Sequence, residues 1–260
     1  MDSAVVTRSF EAGICTLTVN RPDKLNALDQ ATLAALDAAF AAAGSDPDVR
    51  VVILTGAGPK AFVAGADIAQ MNTLTPVQGR DFSQLGQRLM QRIEGLGKPV
   101  IARINGFALG GGLELAMACH LRIAADNARL GQPEINLGLL PGFGGTQRLL
   151  RLAGRAATLE LCLLGAPVSA ERAQAMGIVN EVVPADQLDA RVATVAGQLA
   201  SAAPIALRAI LDSVLVGGEC ALEQGLAFET TQFGLVFSSE DMREGTAAFL
   251  QRRKPEFAGK

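Results

Sequence analysis

Short apolar runs that each stop at a glycine-rich loop and hand over to a helical stretch constrain this chain more than any other feature. Val51–Leu54 stops at Gly56-Ala57-Gly58-Pro59, and a helical stretch follows from about Pro76 to Glu94. Pro99–Ile104 stops at Asn105-Gly106, after which Gly110-Gly111-Gly112 opens a helix running to about Cys119, and Leu121–Ala124 begins the pattern again. Continuous apolar runs of this length, bounded by turn residues, read as strands buried on both faces. Strands alternating with helices read as α/β layering. Upstream, Cys15, Leu17 and Val19 alternate with Thr16 and Thr18 in a half-buried strand over Ile14–Val19. Val5–Arg8 is a second strand, with Glu11-Ala12-Gly13 as the hairpin turn. Ala31–Ala43 is an Ala/Leu-rich helix capped by Asp29. From Thr146 onward apolar residues take helical spacing and strand signals nearly vanish, with Pro167, Pro184 and Pro204 separating successive helices. The shift around residues 185–205 predicts an α/β core over 1–195 and a helical appendage over 196–260.

Composition narrows the function. The 260 residues, 49% hydrophobic and 19% charged, suffice for a sizeable core. A net charge of −3 gives no electrostatic reason for a nucleic-acid partner. Basic clusters at Arg151–Arg155 and Arg252–Lys254 read as solvated faces. Four scattered cysteines and a single histidine, His120, make a Cys/His metal site hard to assemble. They read as free thiols in a reducing cytosol. No run reaches the roughly 18–20 apolar residues of a membrane helix, and no secretory signal is visible. The expectation is a cytoplasmic chain with no membrane partner and no metal.

Chemistry concentrates in three places. Glycines just before a helix let a ligand approach the backbone, where the first helical N–H groups are free. At Gly110–Gly112 such an end favours negative charge, whether a phosphate or an oxyanion; tight helix–sheet packing explains the glycines equally well. Glu114 follows in an otherwise apolar helix start (Leu113, Leu115, Ala116, Met117), an unusual setting for a structural carboxylate. Glu134 lies in the loop Gly131-Gln132-Pro133-Glu134-Ile135-Asn136-Leu137. Two carboxylates in apolar settings suit acid–base work, because burial raises their pKa, but nothing local brings them together. In Ala61–Ile68, small residues around Gly65 leave the backbone open as a second N–H donor; a compact turn with Asp67 as a helix cap is the plainer alternative. Gly56–Lys60 lacks P-loop spacing, neither glycine cluster spells GxGxxG, and no GxSxG elbow is present.

In order, Asn20–Leu28, Ala61–Met71, Lys98–Met117, Gly131–Leu150 and Glu244–Lys254 resemble the crotonase, or enoyl-CoA hydratase/isomerase, family over nearly the whole chain. The resemblance implies a spiral of strand–strand–helix units with a helical C-terminal region that mediates trimerisation, as a homotrimer or a dimer of trimers. It implies an oxyanion hole from the N–H groups of Ala66 and Gly111. It implies that Glu114 and Glu134 add water to a trans-2-enoyl-CoA, Glu114 helping to activate the water and Glu134 protonating the α-carbon. Coenzyme A contacts would come from Lys24, Leu25 and Ala27, from Ala64, Asp67, Ile68 and Ala69, and from Phe249 and Arg252. Coenzyme A belongs to the substrate, and no separate cofactor is implied. Isomerases of the family keep a counterpart of Glu134 without one of Glu114, so the pair favours hydration. A non-catalytic acyl-CoA-binding or RNA-binding relative is the reading from a different class; the two glutamates and the mild acidity argue against it.

Overall fold

A computed structural model describes residues 4–260. The chain opens with a hairpin of β1 (Val6–Glu11) and β2 (Ile14–Val19), turned at Ala12 and Gly13 with φ of +48° and +80°. Helix α1 (Gln30–Ser45) follows, and the Asp29 side chain accepts the Thr32 N–H at its start. Three turns of a repeating unit come next. The first is β3 (Val51–Gly56), β4 (Ala61–Val63), the single turn α2 (Ile68–Met71) and α3 (Pro76–Glu94). The second is β5 (Val100–Ile104), β6 (Phe107–Leu109) and α4 (Gly111–Ala118). The third is β7 (Leu121–Ala125), β8 (Arg129–Gly131), a 3-10 turn (Pro133–Leu137) and α5 (Gly145–Leu164). Strand β9 (Val168–Ser169), α6 (Ala170–Ala175) and β10 (Glu181–Val183) close the spiral.

The first strand of every turn joins one sheet, ordered β1-β2-β3-β5-β7-β10, parallel throughout except for the hairpin. The second strands build a smaller sheet, β4-β6-β8-β9. Strand β3 is buried on both faces, as its unbroken apolar run requires. Val52 and Leu54 face the main core with Leu36 and Phe40 of α1 and Leu89 and Ile93 of α3. Val51 and Ile53 face Leu188, Val192 and Ala196 of α7 (Leu188–Ala200). Helices α8 (Pro204–Gly217), α9 (Leu222–Val236) and α10 (Glu240–Leu250) complete the chain, and α8 and α9 bury no residue of their own. Among the described residues no single helix is long and apolar enough to cross a membrane.

Three expectations are corrected. Ala61–Val63, read as part of a turn, is strand β4, and β9 and β10 lie in the region read as almost free of strands. These strands are two or three residues long and take their partners from distant segments, so no local alternation marks them. Asp67 stands at the start of α2, but its side chain makes no capping hydrogen bond. Its carboxylate instead meets Arg21 at 3.1 Å and Lys24 at 3.5 Å.

Candidate active site

The glycine triplet serves three separate needs at the junction of both sheets. Gly110 adopts φ +51°, and a Cβ there would stand 2.9 Å from Glu134 Oε1. Gly112 lies so close to β4 that a Cβ would overlap the Val63 carbonyl. Between them, Gly111 is the first residue of α4, where a helical N–H has no partner within its own helix. A Cβ on Gly111 would be 3.6 Å from the Ala66 nitrogen, so the two candidate donors are neighbours. Among the described residues, neither the Ala66 nor the Gly111 N–H donates to a backbone carbonyl outside helix and strand ladders. Packing and ligand approach are both served, by different glycines.

Ala66 is held from behind. Leu28 N–H donates to Gly65 O at 2.9 Å, and Asp67 N–H donates to Leu28 O at 2.8 Å. The 21–29 segment that provides this backing is itself fixed at two left-handed residues, Leu25 (φ +51°) and Asn26 (φ +60°). Such backbone is strained for residues other than glycine, and Asn26 restrains it. The buried Asn26 side chain accepts from Arg21 N–H and donates to the carbonyls of Ala57 and Ala61. Arg21 then ties the two segments together, pairing with Asp29 and Asp67 and donating to Ala27 O. Between this turn and the Ala57–Ala61 loop lies a cleft of about 200 Å³.

Glu114 is only 1% exposed. Its Oε1 accepts two backbone N–H groups, from Phe143 at 2.8 Å and from Gly145 at 2.6 Å. That atom is saturated, so Oε2 is the oxygen left to exchange a proton. Burial pushes its pKa up to about 8, with the charge of Glu134 adding to the rise and the two N–H donors opposing it. Glu134, half-buried on the 3-10 turn after β8, is pushed up to about 7 by burial. Gln132 holds Glu134. With its amide turned so that both ends are satisfied, its nitrogen donates to both Glu134 oxygens at 3.0 and 3.1 Å. A Cβ on Gly145 would touch Glu114 Oε1 and the Gln132 amide alike. Glu114 and Glu134, twenty residues apart in the chain, are therefore brought near each other, with Glu134 against Gly110, the residue before the Gly111 N–H.

The remaining expected residues divide. Lys24 and Leu25 are exposed on the 21–29 segment, where Ala27 is half-buried, and Ile68 and Ala69 are exposed on α2. Asp67 is held in its ion pairs, and Ala64 donates its N–H to Leu25 O at 3.1 Å. Together they rim the side of Ala66 that faces solvent. Phe249 and Arg252, at the end of α10, are exposed, and no hydrogen bond or ion pair joins them to that rim among the described residues. Arg21, Gln132 and Phe143 were not singled out from the sequence. An arginine, a glutamine beside proline and a phenylalanine among glycines carry no local mark of what they touch.

Residues 9–260 match the family model described as enoyl-CoA hydratase/isomerase. The chain belongs to that family. It is 45% identical to a short-chain-enoyl-CoA hydratase of Clostridium acetobutylicum over 95% of this chain and 94% of the relative. It is 44% identical to a crotonyl-CoA hydratase of Syntrophomonas wolfei over 96% of each. The crystal structure of an enoyl-CoA hydratase from Bacillus anthracis superposes with a TM-score of 0.96 at 38% identity, covering 99% of this chain and all of that one. The strand–strand–helix spiral is thus the fold of a hydratase/isomerase family member.

Proposed function

We infer that this chain is an enoyl-CoA hydratase, which adds water to a trans-2-enoyl-CoA to give a 3-hydroxyacyl-CoA. The observation that carries the reading is the pair of carboxylates, Glu114 buried and Glu134 half-buried and both raised toward neutrality by burial, set beside the Ala66 and Gly111 N–H groups. The thioester oxygen would accept from Ala66 and Gly111 N–H. As water oxygen bonds to C3, the double-bond electrons move toward C2 and the carbonyl, and negative charge grows on that oxygen. Preorganised donors placed there contribute about 3–4 kcal/mol to such a transition state.

Glu114 Oε2 takes the proton that the water loses, and Glu134 delivers the proton that C2 gains. One proton leaves the pair and one arrives, so the enzyme is restored by a shift from Glu114 to Glu134. Burial raises both carboxyls toward neutrality, which suits one group that takes a proton and one that gives a proton in water near pH 7. Gln132 orients Glu134 through both of its oxygens.

Coenzyme A is part of the substrate in this reading, and no other cofactor takes part. Its adenine would lie at the cleft beside Lys24, Leu25 and Ala27, with Ala64, Asp67, Ile68 and Ala69 along its path. Helices α8 and α9 expose Ile210, Val214, Leu226 and Phe233. That apolar area supports a homotrimer or a dimer of trimers built through the C-terminal helices, which would also place Phe249 and Arg252 against coenzyme A. The four free cysteines support a cytoplasmic location. The test is loss of enoyl-thioester absorbance when the protein meets crotonyl-CoA in water. Turnover is expected; absence of turnover with short, medium and aromatic enoyl-CoAs would end the reading.

A further inference from the structure

The turn that holds Glu114 cannot hold itself. Gly142-Phe143-Gly144-Gly145 is rich in glycine, with Gly144 left-handed at φ +98°, and glycine loses the most conformational freedom when it is ordered. Yet the Phe143 and Gly145 N–H groups both reach Glu114 Oε1. The restraint comes from outside the turn. Ser83 and Gln87 of α3 donate to the Gly142 carbonyl. Arg148 of α5 donates through Nη1 to the Phe143 carbonyl at 2.9 Å, so close to the turn that a Cβ on Gly144 would overlap that nitrogen. The rest of the guanidinium is taken as well. Its Nε and Nη2 meet the two Glu94 oxygens at 2.7 and 2.8 Å, with the two side chains only 14% and 28% exposed. Glu94, the last residue of α3, is tied in turn through its carbonyl, which accepts from His120 Nε2 at 3.1 Å. Val100 N–H donates to His120 Nδ1, which leaves the hydrogen of the neutral ring on Nε2.

We propose that Arg148, clamped by Glu94, is a positioning residue for Glu114: it fixes the turn whose N–H groups hold the carboxylate, and it brings a cation to bear on that carboxylate. The inference rests on the hydratase reading only for the reaction that Glu114 serves. Phe143 contributes both the carbonyl that Arg148 grips and an N–H that Glu114 accepts, so the grip acts one residue away from the carboxylate. One planar fork spans Glu94 and the turn at once, which a lysine ammonium cannot reproduce. Without it Oε1 loses its fixed donors and Oε2 its aim, and a misplacement of about 1 Å costs roughly 10²-fold in rate. Charge adds a second effect. Glu134 raises the pKa of Glu114 and Arg148 lowers it. The Cys162 thiol, which also senses Glu114, is pushed up to about 11 by burial and stays neutral. Glu94 offsets part of the arginine charge, so the effect is smaller than the about 1–3 units of a cation in direct contact.

The experiment measures kcat, KM and the pH profile on crotonyl-CoA for Arg148→Met, Arg148→Lys and Glu94→Gln. Thermal unfolding of Glu114→Gln, in the wild-type and Arg148→Met backgrounds at pH 5 and pH 9, accompanies it. Arg148→Met should lower kcat by about 10–100-fold with KM within about threefold. Its bell should move about half a unit toward higher pH, because the carboxylate has lost a cation. Arg148→Lys keeps the charge without the fork, so kcat should fall by about tenfold while the bell stays in place. Glu94→Gln leaves the arginine charge unopposed and should move the bell toward lower pH; it also carries the test if Arg148→Met does not fold. At pH 9, but not at pH 5, Glu114→Gln should raise Tm more in the Arg148→Met background than in the wild type, since the buried charge it removes has become costlier. A folded Arg148→Met with kcat within about threefold of the wild type, an unmoved bell, or equal gains in Tm at pH 9 would overturn the proposal. If the wild type hydrates no enoyl-CoA and the gains in Tm differ, the hydratase reading falls and the placement of Arg148 stands. With no turnover and equal gains, both fall.

Discussion

The pocket around Glu114 and the face of α8 and α9 break opposite rules of a folded chain. The pocket buries the Glu114 carboxylate and is backed by a segment with left-handed backbone at Leu25 and Asn26, while α8 and α9 leave Val214, Leu226 and Phe233 in the open. Buried carboxylates with raised pKa values oppose folding at neutral pH. Exposed apolar helices leave the burial of their surface to contacts outside the monomer. In the proposed reading the first departure serves chemistry and the second serves assembly. A change that relieves the first should stabilise the monomer and abolish turnover, whereas a change that relieves the second should leave the fold intact and disperse the oligomer.

The largest effect is expected from Glu114→Gln and Glu134→Gln. Each should lower kcat on crotonyl-CoA by about 10²–10⁴, the range of a lost acid or base. Each should also be more stable than the wild type in alkaline solution. A carboxyl whose folded pKa is raised contributes stability below its unfolded pKa of about 4.3 and loses it as pH rises through the folded value. Here the loss runs from about pH 4.3 up through about 7 for Glu134 and about 8 for Glu114. Glutamine does not titrate, so the gap in Tm between variant and wild type should widen between pH 5 and pH 9, as thermal unfolding at both pH values would reveal. A variant of near wild-type activity would remove that residue from the mechanism.

Next in size is assembly. The wild type should sediment as three or six copies of the 27.0 kDa chain, and Leu226→Asp with Phe233→Asp should shift it toward monomer with its circular dichroism preserved. A monomeric wild type would remove the trimer from the account. Arg21→Met should act more modestly, through the backing of Ala66. A fall of about tenfold in kcat with KM little changed is expected if one oxyanion donor is loosened rather than lost. An equal fall in affinity alone would place Arg21 with the coenzyme A rim instead.

The parts legible in the sequence were those whose cause is local. Strand β3 carries a continuous apolar run and β5 one broken only by Arg103, α1 carries its own cap at Asp29, and Glu114 stood out as a carboxylate in an apolar helix start. The parts that were not legible depend on chain crossings. Strands β4, β6 and β8 exist because three distant segments stack into one small sheet. Glu134 reaches Glu114 only because β8 delivers its turn beside Gly110, a pairing that the family resemblance implied and local chemistry did not. Gln132 lay inside a segment already of interest, yet its bond to Glu134 became visible only once the loop was folded.

The dependence of kcat/KM for crotonyl-CoA on pH tests the shared proton most directly, since it reports the ionisation of the free enzyme. The account predicts a bell with apparent limbs at about 7 and about 8, values that belong to the pair rather than to either residue. Removing either glutamate should abolish one limb in whatever activity remains. A rate that stays flat from about pH 6 to about pH 9, where the two limbs should fall, would mean that no proton is shared there and would contradict the account.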